Sequence, residues 1–366
     1  MFIHELLSKD LPFAVYRFPE EQAPVYVLQT CPAREFSLGR LEEQKGFVVA
    51  PFDAYKTRKA CLIEPDFIAC NKAETEKFSA VLSSLPDKNF RYAKTGNVVV
   101  DKDTYLQQAQ RLIWRMKEGE VQKVVLSRVL EKPLPQAFDF DVFYEIFQQS
   151  YPHAFVYLFY LPGKGLWAGA TPETLLSRNG EFYETMALAG TQKRPGNGVI
   201  PRWNEKEKCE QAFVTRFVEE QINSLHLKKT IKYPEETIFA GSLAHICTRF
   251  RIPVPILRNR TGHLVSLLHP TPAVCGLPKE KAWQMIAETE QHTRRFYTGF
   301  LGPWQMENHS HLFVNLRCAE FFNEKLALYV GGGLTAGSVP EKEWQETEDK
   351  SATLLSVVEK LRNFAL

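Results

Sequence analysis

The sequence lacks the features that mark membrane, secreted and thiolate-metal proteins. Its longest apolar run, residues 154–161, is far shorter than the ~20 residues needed to cross a bilayer as a helix. Its seven cysteines are scattered, odd in number and without a Cys-x-x-Cys pair, which disfavours a disulfide framework and a thiolate zinc site. The first residues have neither a basic lead nor a small-residue cleavage site, so we expect no signal peptide and a cytoplasmic protein.

A surplus of charge of one sign is also missing. The 45 Lys and Arg residues nearly balance the 43 Asp and Glu residues, and the formal net charge is +2. Such a small charge provides no general field for attracting a polyanion. The hydrophobic, aromatic and charged fractions of 44, 12 and 24% are typical of a globular protein, and 366 residues give a first expectation of about two domains.

The order of strand-like and helix-like segments predicts an α/β protein with α+β layering. Many strand-like runs follow one another, and their spacing is not that of βαβ units. The last two runs, 312–319 and 325–330, are expected to form a hairpin near Asn323.

One predicted strand carries a lysine within an apolar face. Alternation over residues 121–129 places Lys123 on the same face as Val121, Val125 and Val129. Apolar surroundings disfavour the ammonium form, so this lysine is an anomaly that could serve chemistry.

Two predicted helices, about 204–225 and from Ser338 or Pro340 onward, carry charged residues on their apolar faces. Traced backward, the apolar stripes reach Glu210 and Glu207 on the first helix, and Lys350, Glu346 and Glu343 on the second. With no thiolate or histidine pair at ligand spacing, such carboxylates suit Mg²⁺ held by one or two carboxylates and an anionic substrate. The simpler alternative is that Glu346 and Lys350 form an ordinary i,i+4 surface pair and that Glu210 is a solvated edge residue.

Three further features have both a functional and a structural interpretation. The glycine run 331–333 allows backbone N–H groups to approach an anion, or forms a plain tight turn. Arg317, expected on a strand face with Phe313 and Ala319, is either a carboxylate clamp or half of a buried ion pair. His245 lies in an apolar run and is expected to be a core histidine.

Ten segments, in the family's order, resemble the chorismate-utilising enzymes from about residue 112 to the C-terminus. They are KVVLSR (123–128), GATPETLL (169–176), ALAGT (187–191), EKEKCEQAFV (205–214), AHICTR (244–249), LHPTPAVCG (268–276), RRFYTGFLG (294–302), NLRCAEF (315–321), YVGGGL (329–334) and EKEWQETEDK (341–350). The resemblance implies one large domain over 1–366, of two stacked, mainly antiparallel sheets flanked by helices. Residues 1–95 would then contribute strands without recognisable motifs, and residues 100–366 would carry all the motifs.

The resemblance also implies Mg²⁺-dependent chemistry on chorismate, and three positions indicate the branch. Family members that add ammonia usually lack a lysine at the Lys123 position, and the aminodeoxychorismate type has a lysine in the segment where this chain has Ala189. The pattern is similar to the water-adding branch, isochorismate synthase, or to the salicylate synthases that go on to eliminate pyruvate. Ala273 favours the first, because salicylate synthases tend to have threonine there.

Carried onto this chain, the resemblance implies two catalytic residues. Lys123 would be the general base that deprotonates water for attack at C2, and Glu173 the general acid that protonates the departing C4 hydroxyl. The substrate-binding positions that it implies are Gly190, His245, Ala273, Tyr297, Arg317, Gly333 and Lys350.

The same resemblance implies a metal site, and this chain differs from the family's pattern at one position near it. Glu210 and Glu346 would hold Mg²⁺, with Glu343 or Glu207 in support. The metal helix of the family often has a histidine where this chain has Gln211, which leaves the metal affinity open.

The alternatives fall into different classes. Salicylate synthase is the nearest, and a scaffold that only binds chorismate is disfavoured because Lys123 and Glu173 are both retained. A nucleic-acid-binding module could be argued from the pI of about 8.1 and the basic-aromatic stretch 293–297. We expect a monomer, since no coiled coil or apolar patch is visible. The sequence leaves open whether the product feeds menaquinone, a siderophore or salicylate.

Overall fold

A computed structural model describes residues 2–92, 98–136, 138–195, 199–240, 243–307 and 309–364. The predicted boundary near residue 95 lies outside these residues. The strands are β1 (Phe13–Arg17), β2 (Val25–Leu28), β3 (Arg34–Ser37), β4 (Gly46–Ala50), β5 (Lys59–Ile63), β6 (Phe67–Ala69), β7 (Lys123–Pro133), β8 (Phe155–Leu161), β9 (Gly165–Thr171), β10 (Thr174–Asn179), β11 (Phe182–Lys193), β12 (Ile231–Lys232), β13 (Glu236–Ala240), β14 (Leu243–Pro253), β15 (Gly276–Leu277), β16 (Phe300–Trp304), β17 (Ser310–Val314), β18 (Cys318–Phe321) and β19 (Lys325–Leu334). The helices are α1 (Ile3–Ser8), α2 (Ala54–Thr57), α3 (Lys72–Ser84), α4 (Lys102–Lys117), α5 (Phe140–Ser150), α6 (Glu205–Ser224), α7 (Val254–Leu257), α8 (Thr261–Leu268), α9 (Lys279–Thr289) and α10 (Pro340–Phe364), with a 3₁₀-helix at Leu38–Glu43.

The strands form two antiparallel sheets. The first has the order β15-β7-β19-β18-β9-β8-β1-β2-β6, and the second has the order β12-β14-β11-β10-β17-β16-β4-β5-β3, with β13 also paired to β14. Strands from the N-terminal region therefore belong to both sheets: β1, β2 and β6 to the first, and β3, β4 and β5 to the second.

The inner faces of the two sheets share an aromatic core, as the alternation of strand side chains allows. Phe155 of β8 lies flat on Phe313 of β17, with ring centres 4.2 Å apart. Helices α1, α3, α5 and α10 cover the outer face of the first sheet, and α6 and α8 cover that of the second. The predicted fold class, two stacked antiparallel sheets flanked by helices, is confirmed. Among the described helices, none is both long and apolar enough to span a bilayer.

The predicted strand over residues 312–319 is wrong. The chain leaves the second sheet after Val314 and enters the first at Cys318, so residues 315–317 cross between the sheets. Arg317 has a φ of 50°, which no extended strand residue adopts. Its predicted position on a strand face with Phe313 and Ala319 is therefore also wrong, because the alternation of side chains along a sequence does not reveal where a chain changes sheets.

Candidate active site

A cavity of about 130 Å³ brings together almost every site residue predicted from the sequence. Lining it are Lys123, Glu173, Gly190, Glu210, His245, Ala273, Tyr297, Arg317, Gly333, Glu346 and Lys350. Glu207 and Glu343 do not line it, and Glu343 is buried behind the wall, where its Oε2 lies 3.4 Å from the position of a Cβ added to Gly332.

Lys123 is the first residue of β7 and is only 3% exposed. The register of β7 with β19 places Gly333 opposite Val125, diagonal to the lysine. A Cβ added to Gly333 would lie 2.8 Å from Lys123 Cε and 3.3 Å from its Nζ, so the glycine makes room for the lysine side chain. Burial lowers the pKa of Lys123, although Glu210 acts in the opposite direction.

Glu173 lies in the tight connection between β9 and β10, which β17 holds in place. The Thr171 hydroxyl donates to the Val314 carbonyl (2.7 Å), and the Val314 N–H donates to the Glu173 carbonyl (2.9 Å). The side chain is 5% exposed, and burial raises its pKa to about 7 in spite of the nearby cations Lys123 and Arg317. This carboxyl can therefore carry a proton near neutral pH.

His245 connects Arg317 to the backbone. Arg317 Nη2 lies 3.2 Å from His245 Nε2, and His245 Nδ1 lies 3.1 Å from the Gly190 carbonyl oxygen. Because a guanidinium only donates, Nε2 must accept, and Nδ1 then carries the hydrogen that is donated to Gly190. Burial, with Arg317 adding to it, lowers the pKa of His245 to about 3, which keeps the ring neutral. The expected core histidine is buried, but it also supports Arg317 at the cavity.

Gly190 can present its carbonyl to His245 because the strand is irregular there. The register of β11 with β14 shifts between Ala189 and Thr191, and Gly190 has a φ of 71°. Few residues other than glycine adopt this conformation readily.

The two carboxylates predicted to bind metal lie on α6 and α10. Helix α6 begins with a capping box in which the Glu207 carboxylate accepts from the Asn204 N–H at 2.9 Å, so Glu207 caps the helix N-terminus. Glu210, one turn further along α6, lines the cavity. Glu346 pairs with Lys350 at 2.7 Å, and Lys350 also donates to the Gly331 carbonyl at 2.9 Å. The i,i+4 pair of the simpler alternative is thus present, and it lines the cavity.

Gln211, which stands where the family often has histidine, packs α6 against the second sheet. It is fully buried, and its amide donates to the Ala187 carbonyl (2.9 Å) and contacts the Thr248 hydroxyl (3.2 Å). It is not among the residues that line the cavity.

The carboxylates at the cavity supply only part of the coordination shell of a metal ion. In the described part of the chain, no group of three or more His, Cys, Asp or Glu side chains is placed to hold an ion. Glu210 and Glu346 nevertheless line one cavity from two helices. Mg²⁺ commonly takes one or two protein carboxylates and completes its shell with water and substrate oxygens. The residues fit such an ion, held jointly with an anionic substrate, and do not form a complete protein cage.

Several wall residues had not been singled out from the sequence. They are mainly apolar or aromatic, and include Leu188, Thr298, Leu316 and Tyr329. The alternation of β19 could have revealed Tyr329, because it shares a strand face with the glycines at 331 and 333.

A larger cleft of about 1010 Å³ lies on the other side of the segment 290–296. Its charges are largely paired with each other or with neighbours, as Glu35 is with Lys164 and Arg295 is with Glu320. None of the predicted catalytic or binding residues lines it. The smaller cavity is therefore the better candidate for chemistry.

Comparisons with known proteins identify the family of the chain. A family model described as chorismate binding enzyme matches residues 65–359. The chain belongs to this family. The predicted resemblance is thus confirmed, and the match covers most of the chain.

Two curated relatives of this family member are isochorismate synthases. EntC of Escherichia coli K12 is 29% identical over 294 residues, which cover 77% of this chain and 75% of EntC. DhbC of Bacillus subtilis is 29% identical over 273 residues, which cover 70% and 68% of the two chains.

Solved structures of the family show the same fold. DhbC from Bacillus anthracis has a TM-score of 0.79 at 24% identity and covers 97% of this chain and 99% of its own. MenF from Escherichia coli, the menaquinone-specific isochorismate synthase, has a TM-score of 0.76 at 20% identity and covers 96% of this chain and 91% of its own.

Proposed function

We propose that this chorismate-binding enzyme is an isochorismate synthase, an isomerase that adds water at C2 of chorismate and removes the C4 hydroxyl. The observation that carries the proposal is that Lys123 and Glu173, both buried, line one cavity with pKa values shifted toward neutrality in opposite directions. The relatives support this activity, because EntC, DhbC and MenF are isochorismate synthases by name.

The two residues divide the proton transfers between them. The neutral amine of Lys123 takes a proton from water as the water oxygen bonds to C2. The ring double bond shifts and the C4–O bond breaks, and Glu173 delivers its proton to the leaving hydroxyl, which departs as water. One water enters and one leaves, so the atoms balance. A positioned acid or base contributes typically ~10²–10⁴ in rate.

The substrate's two carboxylates would be held by different parts of the cavity wall. Arg317, with Tyr297, would clamp the enolpyruvyl carboxylate, because a guanidinium offers two parallel donors to a carboxylate. The neutral ring of His245 accepts from Arg317 and so fixes the orientation of its fork. Lys350 and the Gly333 amide would contact the ring carboxylate, while Gly190 and Ala273 shape the pocket.

Glu210 and Glu346 would hold Mg²⁺, with Glu343 in support. When bound, the ion supplies positive charge that neutralises the ring carboxylate of the substrate. Lys350 pairs with Glu346 at 2.7 Å, and this contact keeps the Glu346 carboxylate at the cavity wall.

Two other functions are less well supported. Ala273 and the named relatives favour isochorismate synthase over salicylate synthase. In the basic-aromatic stretch that could suggest nucleic-acid binding, Arg294, Phe296 and Tyr297 are buried, so they do not form an accessible surface.

The proposal is tested by product analysis with purified protein, chorismate and Mg²⁺. Isochorismate alone is the expected product. Salicylate with stoichiometric pyruvate would instead identify the lyase, and an ammonia-dependent aromatic amine would contradict both. The Lys123→Ala and Glu173→Gln variants should retain the fold and lose nearly all turnover, and wild-type kcat in either variant would contradict its assigned role.

We further propose a cytoplasmic, monomeric enzyme whose product feeds menaquinone or siderophore biosynthesis. Light scattering of the purified protein should give a mass near 42.0 kDa, and a mass twice as large would contradict the monomer.

A further inference from the structure

Behind the cavity wall, two buried side chains form an ion pair that the proposed chemistry does not use. The side chains of Glu290 and Arg294 are each 2% exposed. Arg294 donates to both carboxylate oxygens, with Nη2–Oε1 at 2.6 Å and Nε–Oε2 at 2.9 Å. Burial acts to raise the pKa of Glu290, but Arg294 beside it holds that pKa below its ordinary value, so the pair is ionised.

Most of the remaining hydrogen bonds of the pair reach backbone groups in two segments of the cavity wall. Arg294 Nη2 donates to the Val125 carbonyl and Nη1 to the Val274 carbonyl, each at 2.7 Å. Glu290 Oε1 accepts from the Ser127 N–H (2.7 Å) and from its hydroxyl (2.8 Å). Val125 and Val274 both line the cavity, and they are close neighbours in sequence of Lys123 and Ala273.

These contacts lie where the first sheet has an open edge. In the described residues, β15 pairs only with Lys123 and Val124 of β7. Beyond them, the Val125 N–H still bonds to the Cys275 carbonyl at 2.8 Å. The next backbone groups along this edge are the Val125 carbonyl, which accepts from Arg294, and the Ser127 N–H, which donates to Glu290. The ion pair therefore takes the place of a neighbouring strand along this part of β7 and satisfies backbone groups that would otherwise be buried without partners.

Stability alone does not explain a pair of this kind. Two charges removed from water carry a desolvation cost, and well-packed apolar residues of similar volume are often equally stabilising or more so. What apolar residues cannot do is bond simultaneously to carbonyl and N–H groups on two segments and so fix their separation.

We propose that Glu290 and Arg294 form a positioning pair that holds the Lys123 strand against the loop bearing Ala273. As a statement about catalysis, it rests on the proposed isochorismate synthase function. Arg294 also contacts the Thr298 hydroxyl at 3.3 Å, so the segment that carries Tyr297 is part of the same arrangement.

The test replaces the whole pair, because a single substitution leaves an unpaired buried charge and is expected to destabilise the fold strongly. The double variant Glu290→Leu/Arg294→Met leaves no unpaired charge, but the Val125 and Val274 carbonyls and the Ser127 N–H lose their partners, so its melting temperature should be lower than that of the wild type. At temperatures where it is fully folded it should lose about 10²-fold in kcat/KM, since a misplacement near 1 Å can cost that much. The matched control is Arg295→Met/Glu320→Leu, a neighbouring, partly buried pair outside the lining of the smaller cavity, with kcat/KM expected within a few fold of wild type.

Hydrogen exchange provides a readout that does not depend on activity. In the double variant, peptides covering 123–129 and 272–277 should exchange faster than in the wild type and in the control. This difference in exchange rate can be measured even if the wild type makes no isochorismate. In that case the proposed function would be wrong, while the positioning role of the pair could still be confirmed.

A folded double variant with wild-type kcat/KM, or with unchanged exchange in both peptides, would overturn the proposal. If the double variant does not fold, Ser127→Ala decides. It removes the bond of the hydroxyl to Glu290 and its contact with His292 Nε2 (3.1 Å) but keeps the Ser127 N–H, and we expect roughly a tenfold loss of kcat in the folded variant. Wild-type kcat in Ser127→Ala would then assign the pair to stability alone and overturn the positioning role.

Discussion

Replacing Gly333 by alanine is expected to disable Lys123 and leave the fold intact. The added Cβ would lie 2.8 Å from Lys123 Cε, and ordinary contact begins near 3.4 Å, so the lysine must shift by about 0.6 Å. The lysine end can take this shift because the atoms it meets belong to a long, flexible side chain. A displacement approaching 1 Å at a reacting group can cost about 10²-fold, so we expect kcat to fall by roughly tenfold to a hundredfold.

The assay is steady-state isochorismate formation, with the melting temperature measured alongside. Gly337→Ala is the matched control, because a Cβ there meets nothing within 4 Å, and its kcat should equal that of the wild type. The alanine at position 333 retains the backbone N–H, so a loss of activity reports on the lysine rather than on the amide. Wild-type kcat in Gly333→Ala would refute the claim that the position of the Lys123 amine limits the reaction.

Further predictions concern the acid, the substrate clamp and the metal. Wild-type kcat/KM should fall as pH rises through about 7, where Glu173 loses its proton. The Glu173→Gln variant should lose ~10²–10⁴ in kcat, and its remaining kcat/KM should no longer fall in this pH range. An unchanged fall of kcat/KM with pH in the variant would contradict the assignment. Because the folded pKa of Glu173 lies above its ordinary 4.5, the native carboxylate destabilises the fold increasingly from pH 4.5 to about 7. Urea unfolding should therefore find Glu173→Gln more stable than wild type at pH 8 by up to about 3 kcal/mol and little different at pH 4; an equal difference at both would contradict this. Arg317→Lys should raise KM for chorismate at least tenfold, because lysine lacks the planar fork, and an unchanged KM would remove the clamp. EDTA should stop turnover and Mg²⁺ restore it, whereas EDTA-resistant turnover would remove Glu210 and Glu346 from their role.

Much of the site follows from sequence periodicity. The two-residue alternation that placed Lys123 on an apolar face, and the helical stripes that ended at Glu210 and Glu346, both report the side of an element that faces the interior. The cavity has all three residues in its lining. The family resemblance added what periodicity cannot supply, since nothing local distinguishes Glu173 or Gly190 from other loop and strand residues.

Other parts depend on contacts between distant segments. The crossing at residues 315–317 is not predicted by the local residue pattern, and it is this crossing that brings Arg317 to His245. The i,i+4 spacing of Glu290 and Arg294 is compatible with an ion pair, but the β7 backbone that the pair contacts is more than 160 residues away in sequence. The N-terminal strands carry no motif, and only their pairing places them in both sheets.

The most direct test of water addition at C2 is to measure whether an oxygen atom from the solvent enters the product. Purified enzyme with Mg²⁺ converts chorismate in water enriched in ¹⁸O, and the isochorismate is analysed by mass spectrometry and by the ¹⁸O-induced shift of its ¹³C resonances. We expect one solvent oxygen in the C2 hydroxyl, because Lys123 activates water and Glu173 expels the original hydroxyl. Unlabelled isochorismate, with the C4 oxygen transferred to C2, would contradict it.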